Sequence, residues 1–196
     1  MRSVLQLREL RADEFLASLD ALISVYAAAM NPPADQLPGR RSIMERHAGN
    51  RAFRAIVASR SPDAPGRPLA RQQAQVIGFA YGFRGEAGQW WHDLVRDALA
   101  REGGIRAADE WMADSFEIAE VHVHPDYQGR GTGRALMAGL TSGRAERTAV
   151  LSTMDADTRA HRLYLALGFS ELLTAFVFPG ADIPYVIMGS ALPLRA

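Results

Sequence analysis

Residues 116–140 run from an alternating strand into a glycine-dense loop and then into a helical stripe, and few folds accommodate that order. Val121 and Val123 fall on one side of the strand and Glu120, His122 and His124 on the other, until Pro125 removes a ladder donor. Gly129, Gly131 and Gly133 sit at alternate positions, where the missing side chains let the backbone approach a ligand. Arg130 and Arg134 add positive charge. A helix from about Gly131, carrying Ala135, Leu136, Met137 and Leu140, would aim unpaired N–H groups and the positive end of its dipole at the loop. Such a loop suits an anion, above all a phosphate.

Two common phosphate loops fit poorly. The dinucleotide fingerprint requires G-x-G-x-x-G and the Walker loop ends in Gly-Lys-Ser/Thr, neither of which is present here. The spacing Gln128-x-x-Gly131-x-Gly133 after a Val-x-Val-x-Pro strand instead resembles the acyl-CoA loop of the GCN5-related N-acetyltransferases, the GNAT superfamily. A second segment agrees. After an apolar strand over residues 149–154, Asp157 or Thr158 is placed to cap a helix that Gly168 ends. Ala160, Leu163, Tyr164, Gly168 and Phe169 match the second motif of that superfamily, N-x-x-A-x-x-L-Y-x-x-x-G-F, with Asp157 standing where the family usually has Asn.

The resemblance implies one α/β domain over residues 1–196, a mixed, mostly antiparallel twisted sheet flanked by helices, to which the sequence itself adds an inserted helix before the central strand. It implies acetyl-CoA as donor substrate. The main chain of Val121, His122 and Val123 would pair with the pantetheine arm, and Gln128, Gly129, Arg130, Gly131, Thr132, Gly133 and Arg134 would wrap the pyrophosphate. Asp157 and Tyr164 complete the implied cofactor set.

An amine is protonated at neutral pH and attacks a thioester only after losing a proton, so a carboxylate or imidazole base is expected. Glu117 and Glu120 are the candidates. Three apart on a strand, they point to opposite faces unless a bulge intervenes. The resemblance favours Glu117, where several members place their base, while Glu120 shares a face with His122 and His124. Tyr164 is the expected acid for the leaving thiolate. Direct transfer needs no covalent enzyme intermediate, which agrees with the lack of cysteine and of a G-x-S-x-G elbow. Two histidines and Glu120 on one strand face do not by themselves make a metal site, and no metal is expected. The alternative is a non-catalytic acyl-CoA-binding sensor or interaction module; a nucleotide-binding regulator ranks behind it.

Acidic and basic residues number 22 each, every basic one an arginine, so net charge gives no pull toward nucleic acid. The amino-terminal stretch lacks an apolar signal core, and no run of about 18 apolar residues could span a bilayer, so a cytoplasmic protein is expected. A small amine or a peptide is the expected acceptor, with no nucleic-acid or membrane partner.

Along the chain, Val4 to Arg8 alternates as a strand, and a helix from Asp13 carries Phe15 through Tyr26 until Asn31-Pro32-Pro33 ends it. Ser42-x-x-Glu45 reads as a capping box opening a second helix that closes near Gly49. Strands follow at 53–59 and 76–83, separated by an exposed loop rich in Pro, Gly, Arg and Gln. Residues 84–114 hold an inserted helix bearing Trp90, Trp91, Leu94, Val95, Ala98 and Leu99, bounded by Gly88 and Gly103-Gly104; packing on the sheet is its first reading, walling an acceptor pocket its second. Residues 176–194 read as a final strand pair around Pro179-Gly180, with an edge able to support a homodimer.

Overall fold

The structure, a computed structural model, describes residues 5–60 and 75–194. Its strands are β1 (Leu5–Leu10), β2 (Arg54–Arg60), β3 (Gln75–Arg84), β4 (Ser115–Val123), β5 (Thr148–Met154), β6 (Ser170–Phe176) and β7 (Tyr185–Ala191). The helices are α1 (Ala12–Ala17), α2 (Leu19–Met30), α3 (Leu37–His47), α4 (Trp90–Met112), α5 (Thr132–Thr141) and α6 (Arg159–Ala166). All seven strands join one sheet in the order β1-β2-β3-β4-β5-β7-β6. The pairs β1/β2, β2/β3, β5/β7 and β6/β7 are antiparallel, and β4/β5 is parallel because α5 carries the chain back between them. This is the mixed, mostly antiparallel sheet with flanking helices that the resemblance implied. The β4/β5 ladder is brief among the described residues: Ser115, Phe116 and Glu117 face Thr148, Ala149 and Val150.

The chain divides into two compact units, Met1–Gly82 with Glu120–Leu140, and Phe83–Ala119 with Thr141–Ala196. In the first, Leu10, Phe15, Leu22, Met44, Ile77, Phe79, Tyr81, Leu136, Met137 and Leu140 are fully buried. The single helix expected from Asp13 is broken at Ser18, whose hydroxyl donates to Glu14 O at 2.7 Å and so competes with the helical backbone pattern. Asn31 ends α2 in the left-handed conformation, φ 46°, as its place before two prolines anticipated. The capping box is not used. α3 starts five residues before Ser42, with Pro38 in its first turn, and the Ser42 hydroxyl donates back to Pro38 O at 3.2 Å from inside the helix. The body of the loop expected between β2 and β3, residues 61–74, lies outside the described residues.

In the second unit the inserted helix runs further than its glycines suggested. Gly104 takes φ 80° and ψ 171°, so α4 is two helical segments joined at a kink rather than one that stops at Gly103. Both segments feed one core, in which Val95, Leu99, Ala108 and Met112 meet Val150, Leu173, Phe178 and Ile187. Trp91 donates its indole N–H to Ser152 Oγ at 3.3 Å, which fixes the first segment on β5. The final strand pair is β6 with β7, so its first strand ends at Phe176 instead of beginning there, and Phe178 is buried in the connection. No helix among the described residues is long and apolar enough to cross a membrane.

Candidate active site

The glycine loop follows β4 through a single 3-10 turn, Pro125–Tyr127. Gly129 and Gly131 have φ of 72° and 83°, and a Cβ at either would meet nothing within 4 Å. Their requirement is therefore conformational, since an L side chain is strained there even with space around it. Gly133 differs, lying inside α5. Ala135 donates to Gly131 O at 3.0 Å to begin the α5 ladder, which leaves the amides of Thr132, Gly133 and Arg134 as helix-end donors. Positive-φ glycines followed by these amides, with Arg130 and Arg134 nearby in sequence, fit a phosphate-bearing ligand. Gln128 anchors the loop to its strand by donating Nε2–H to Val123 O at 3.0 Å, and His124 N donates to Ile77 O at 2.8 Å.

Glu120 and Glu117 have separate partners. Glu120 is buried and receives hydrogen bonds from Arg40 Nη1 at 2.6 Å and from His122 Nε2. Burial pushes its carboxyl upward, but His122 and Arg40 more than offset this and hold it below the usual range. Arg40 lies over the Tyr26 ring, 4.8 Å from its centroid, and the Tyr26 and His122 rings meet edge to face at 5.1 Å. Desolvation pushes His47 down and Tyr81 well up, and His47 Nδ1 lies 3.1 Å from the Tyr81 hydroxyl. Arg40 carried no signal in the sequence beyond being a helix cation, yet it provides the countercharge for this carboxylate.

Glu117 is 3% exposed and its Oε1 lies 2.7 Å from His92 Nδ1, on the first turn of α4. Burial raises its carboxyl above the usual range, with His92 pulling part of the way back and Asp93 adding to the rise. The backbone of Gly85 lies against this pair. A Cβ there would fall on Glu117 Oε1, with Ser115 Oγ at 2.5 Å and His92 Nδ1 at 2.8 Å. His92 was not legible as a site residue, because it occupies one turn of a helix whose apolar stripe explains the positions around it.

Thr158, not Asp157, caps α6: its Oγ1 accepts from His161 N at 3.0 Å. Asp157 instead pairs with Arg162. Gly168, φ 91°, ends the helix. Tyr164 is buried, its ring 5.8 Å from that of Phe169, so two aromatic positions of the second motif pack together. Among the described residues no group of three or more His, Cys, Asp or Glu is placed to hold a metal ion.

Residues 68–171, just over half of the chain, match the family described as Acetyltransferase (GNAT) domain. A GCN5-like protein acetyltransferase of Mycobacterium tuberculosis is 36% identical over 189 residues, spanning 89% of this chain and 91% of that protein. The fold is shared with the ribosomal-protein-S18-alanine N-acetyltransferase of Escherichia coli, TM-score 0.60 at 17% identity, covering 98% of this chain and 97% of the other. It is shared too with yncA of Salmonella typhimurium, solved with its cofactor acetyl-CoA, TM-score 0.54 at 19% identity over 99% and 97% of the two chains. With the loop, the second motif and the sheet all in agreement, the chain belongs to the GNAT superfamily and is an acyl-CoA-dependent N-acetyltransferase with acetyl-CoA as its donor.

Proposed function

We propose that the acceptor is an amine of a protein or peptide, and that transfer is direct, with Glu117 as base and Tyr164 as acid. The observation that carries the acceptor class is the 36% identity, over nearly the full length of both chains, to a relative named as a protein acetyltransferase.

Acetyl-CoA, when bound, supplies the acetyl group as an activated thioester. The chain's own tasks are to hold it, to take a proton from the acceptor ammonium and to give one to the departing sulfur. The amides of Gly129, Gly131 and the first turn of α5, with Arg130 and Arg134, are assigned to the pyrophosphate, and the main chain of Val121–Val123 to the pantetheine arm. Of the two carboxylates, Glu117 is the better base, since burial raises its proton affinity toward the working pH, whereas Arg40 and His122 hold Glu120 ionised and weakly basic. Tyr164 is assigned to the sulfur through its motif position. Asp157, engaged with Arg162, is left at the margin of the cofactor set.

The test is thiol release from acetyl-CoA with peptides that carry a free amino terminus and an internal lysine, the product site being read by mass spectrometry. The chain contains no lysine, so every acetyl-lysine detected belongs to the acceptor. Turnover with small amines but none with peptides would overturn the acceptor class. Tyr164→Phe is expected to lower kcat about 100-fold with acetyl-CoA binding by calorimetry unchanged. Unchanged kcat would remove Tyr164 as the acid.

A further inference from the structure

We infer that His92, on the inserted helix, is the positioning residue for Glu117: its Nδ1–H fixes one carboxylate oxygen so that the other receives the acceptor's proton. The inference rests on the proposed role of Glu117 as base. It begins from geometry. Glu117, a carboxylate of a kind almost never fully buried unless paired, is 3% exposed and meets His92, itself 4% exposed, at 2.7 Å. They come from elements 25 residues apart in the chain.

An ionised carboxylate only accepts hydrogen bonds, so the imidazole nitrogen facing it must be the one that carries hydrogen. That puts a hydrogen on His92 Nδ1 whenever Glu117 is charged, and commits Glu117 Oε1 to it. The proton removed from the acceptor ammonium then has Oε2 as its destination, and it passes to solvent from the resulting carboxylic acid before the next turnover. His92 touches no reacting atom. It works by orientation and by tuning the carboxyl.

The surroundings hold the pair in one arrangement. Gly85 leaves no room for a Cβ beside Glu117 Oε1, Ser115 Oγ and His92 Nδ1, so the polar atoms sit directly on its backbone. Gly85 N is itself fixed to Ser115 O at 2.9 Å. The helix start that carries His92 is pinned from behind, with Gln89 Oε1 accepting from Glu86 N at 3.0 Å and Gln89 Nε2 donating to Arg84 O at 3.1 Å. Asp93 Oδ2 accepts from Gly88 N at 2.9 Å. The groups that bear on Glu117 are thus His92 and Asp93 from α4 and Ser115 from its own strand, and its β5 neighbour Val150 is apolar. The inserted helix therefore contributes to the chemistry as well as to the core.

The experiment measures kcat, KM for acetyl-CoA and the pH profile of kcat/KM in His92→Leu, His92→Asn and Glu117→Gln. Removing the donor takes away an interaction that lowers the Glu117 pKa, so the acid limb of the His92→Leu profile should move to higher pH. At neutral pH its kcat should fall on the order of 10-fold with KM for acetyl-CoA within about 2-fold. His92→Asn presents an amide N–H near the position of Nδ1 and should return the limb and most of kcat. Glu117→Gln must lose activity by about 100-fold or more. If it does not, the base assignment fails and the role of His92 fails with it. If Glu117→Gln is inactive but His92→Leu keeps the wild-type limb, the base survives and the His92 inference is overturned. Should His92→Leu not fold, Gly85→Ala, which thrusts a methyl between the same atoms, is expected to shift the limb in the same direction. A folded Gly85→Ala protein with a wild-type profile would overturn the inference as well.

Discussion

Arg40 and Glu120, 80 residues apart in the sequence, meet through a 2.6 Å hydrogen bond that ties α3 to the central strand β4. Glu120 is buried while the Arg40 side chain remains 33% exposed, so the carboxylate is the partner that depends on the pair. Removing Glu120 would leave Arg40 without its carboxylate and His122 Nε2 without its hydrogen-bond partner. Glu120→Ala is expected to cost about 3 kcal/mol in urea unfolding, the lower end for a broken buried pair because Arg40 can turn to water.

The two carboxylates should give stability opposite slopes with pH. Glu120 is held below its usual 4.5, so its contribution is complete above that pH and is lost as pH falls through the folded-state value. Glu117 is raised above 4.5, so the folded state binds its proton more tightly than the unfolded chain does, and the contribution declines as pH rises from 4.5 through the folded value. Unfolding midpoints across pH 3–8 check this. Glu120→Gln should soften the acid-side fall, and Glu117→Gln should remove the decline above pH 4.5.

Gly131→Ala tests the loop's backbone. With φ of 83° and open space around a Cβ, the substitution strains the chain without a clash, by about 1–2 kcal/mol. Relaxation of that strain would rotate the amides at the start of α5. Calorimetry is expected to show acetyl-CoA binding weakened about 10-fold, while Gly133→Ala, at a helical position, should bind closer to wild type.

Gly189→Ala tests packing under the kinked helix. A Cβ at Gly189 would lie 2.7 Å from the Trp111 ring and 2.8 Å from Leu172 Cδ1, and ring and side chain must both shift. A loss of 1–3 kcal/mol is expected, read as a lower Tm. Thr158→Ala, which removes the α6 cap, should cost about 1 kcal/mol.

The strand, loop and helix around Gly131 were legible because each carries a local physical signature: alternation, a proline stop, glycines at positive φ and a 3.6-residue stripe. Tyr164 and Phe169 were read only through their match to the second motif, on a helix whose stop at Gly168 is the one local signature there. The misreadings came where side chains choose between local options. Ser42 has the spacing of a cap, yet Pro38 is better suited to the first turn and so α3 begins earlier; Ser18 looks like a neutral helix residue, yet its hydroxyl interrupts one. Gly103-Gly104 reads as a stop, but Ile105–Met112 resumes the helix because Ala108 and Met112 have a core to enter. The pairings of Arg40 with Glu120 and of His92 with Glu117 were not legible at all. Each joins distant segments, and no local pattern distinguishes a cation or histidine that will find a buried carboxylate from one that faces water.

The kink in α4 also marks where this chain tolerates a change of length. Residues 101–106 are exposed, and Gly104 interrupts the helical geometry between segments that each dock through their own apolar residues. A register error introduced there is expected to be absorbed at the joint, leaving Val95 and Met112 in their places in the core. The bend is accordingly the natural position for an inserted tag, a reporter or the new termini of a circular permutant, and the first place a protease would nick the inserted helix.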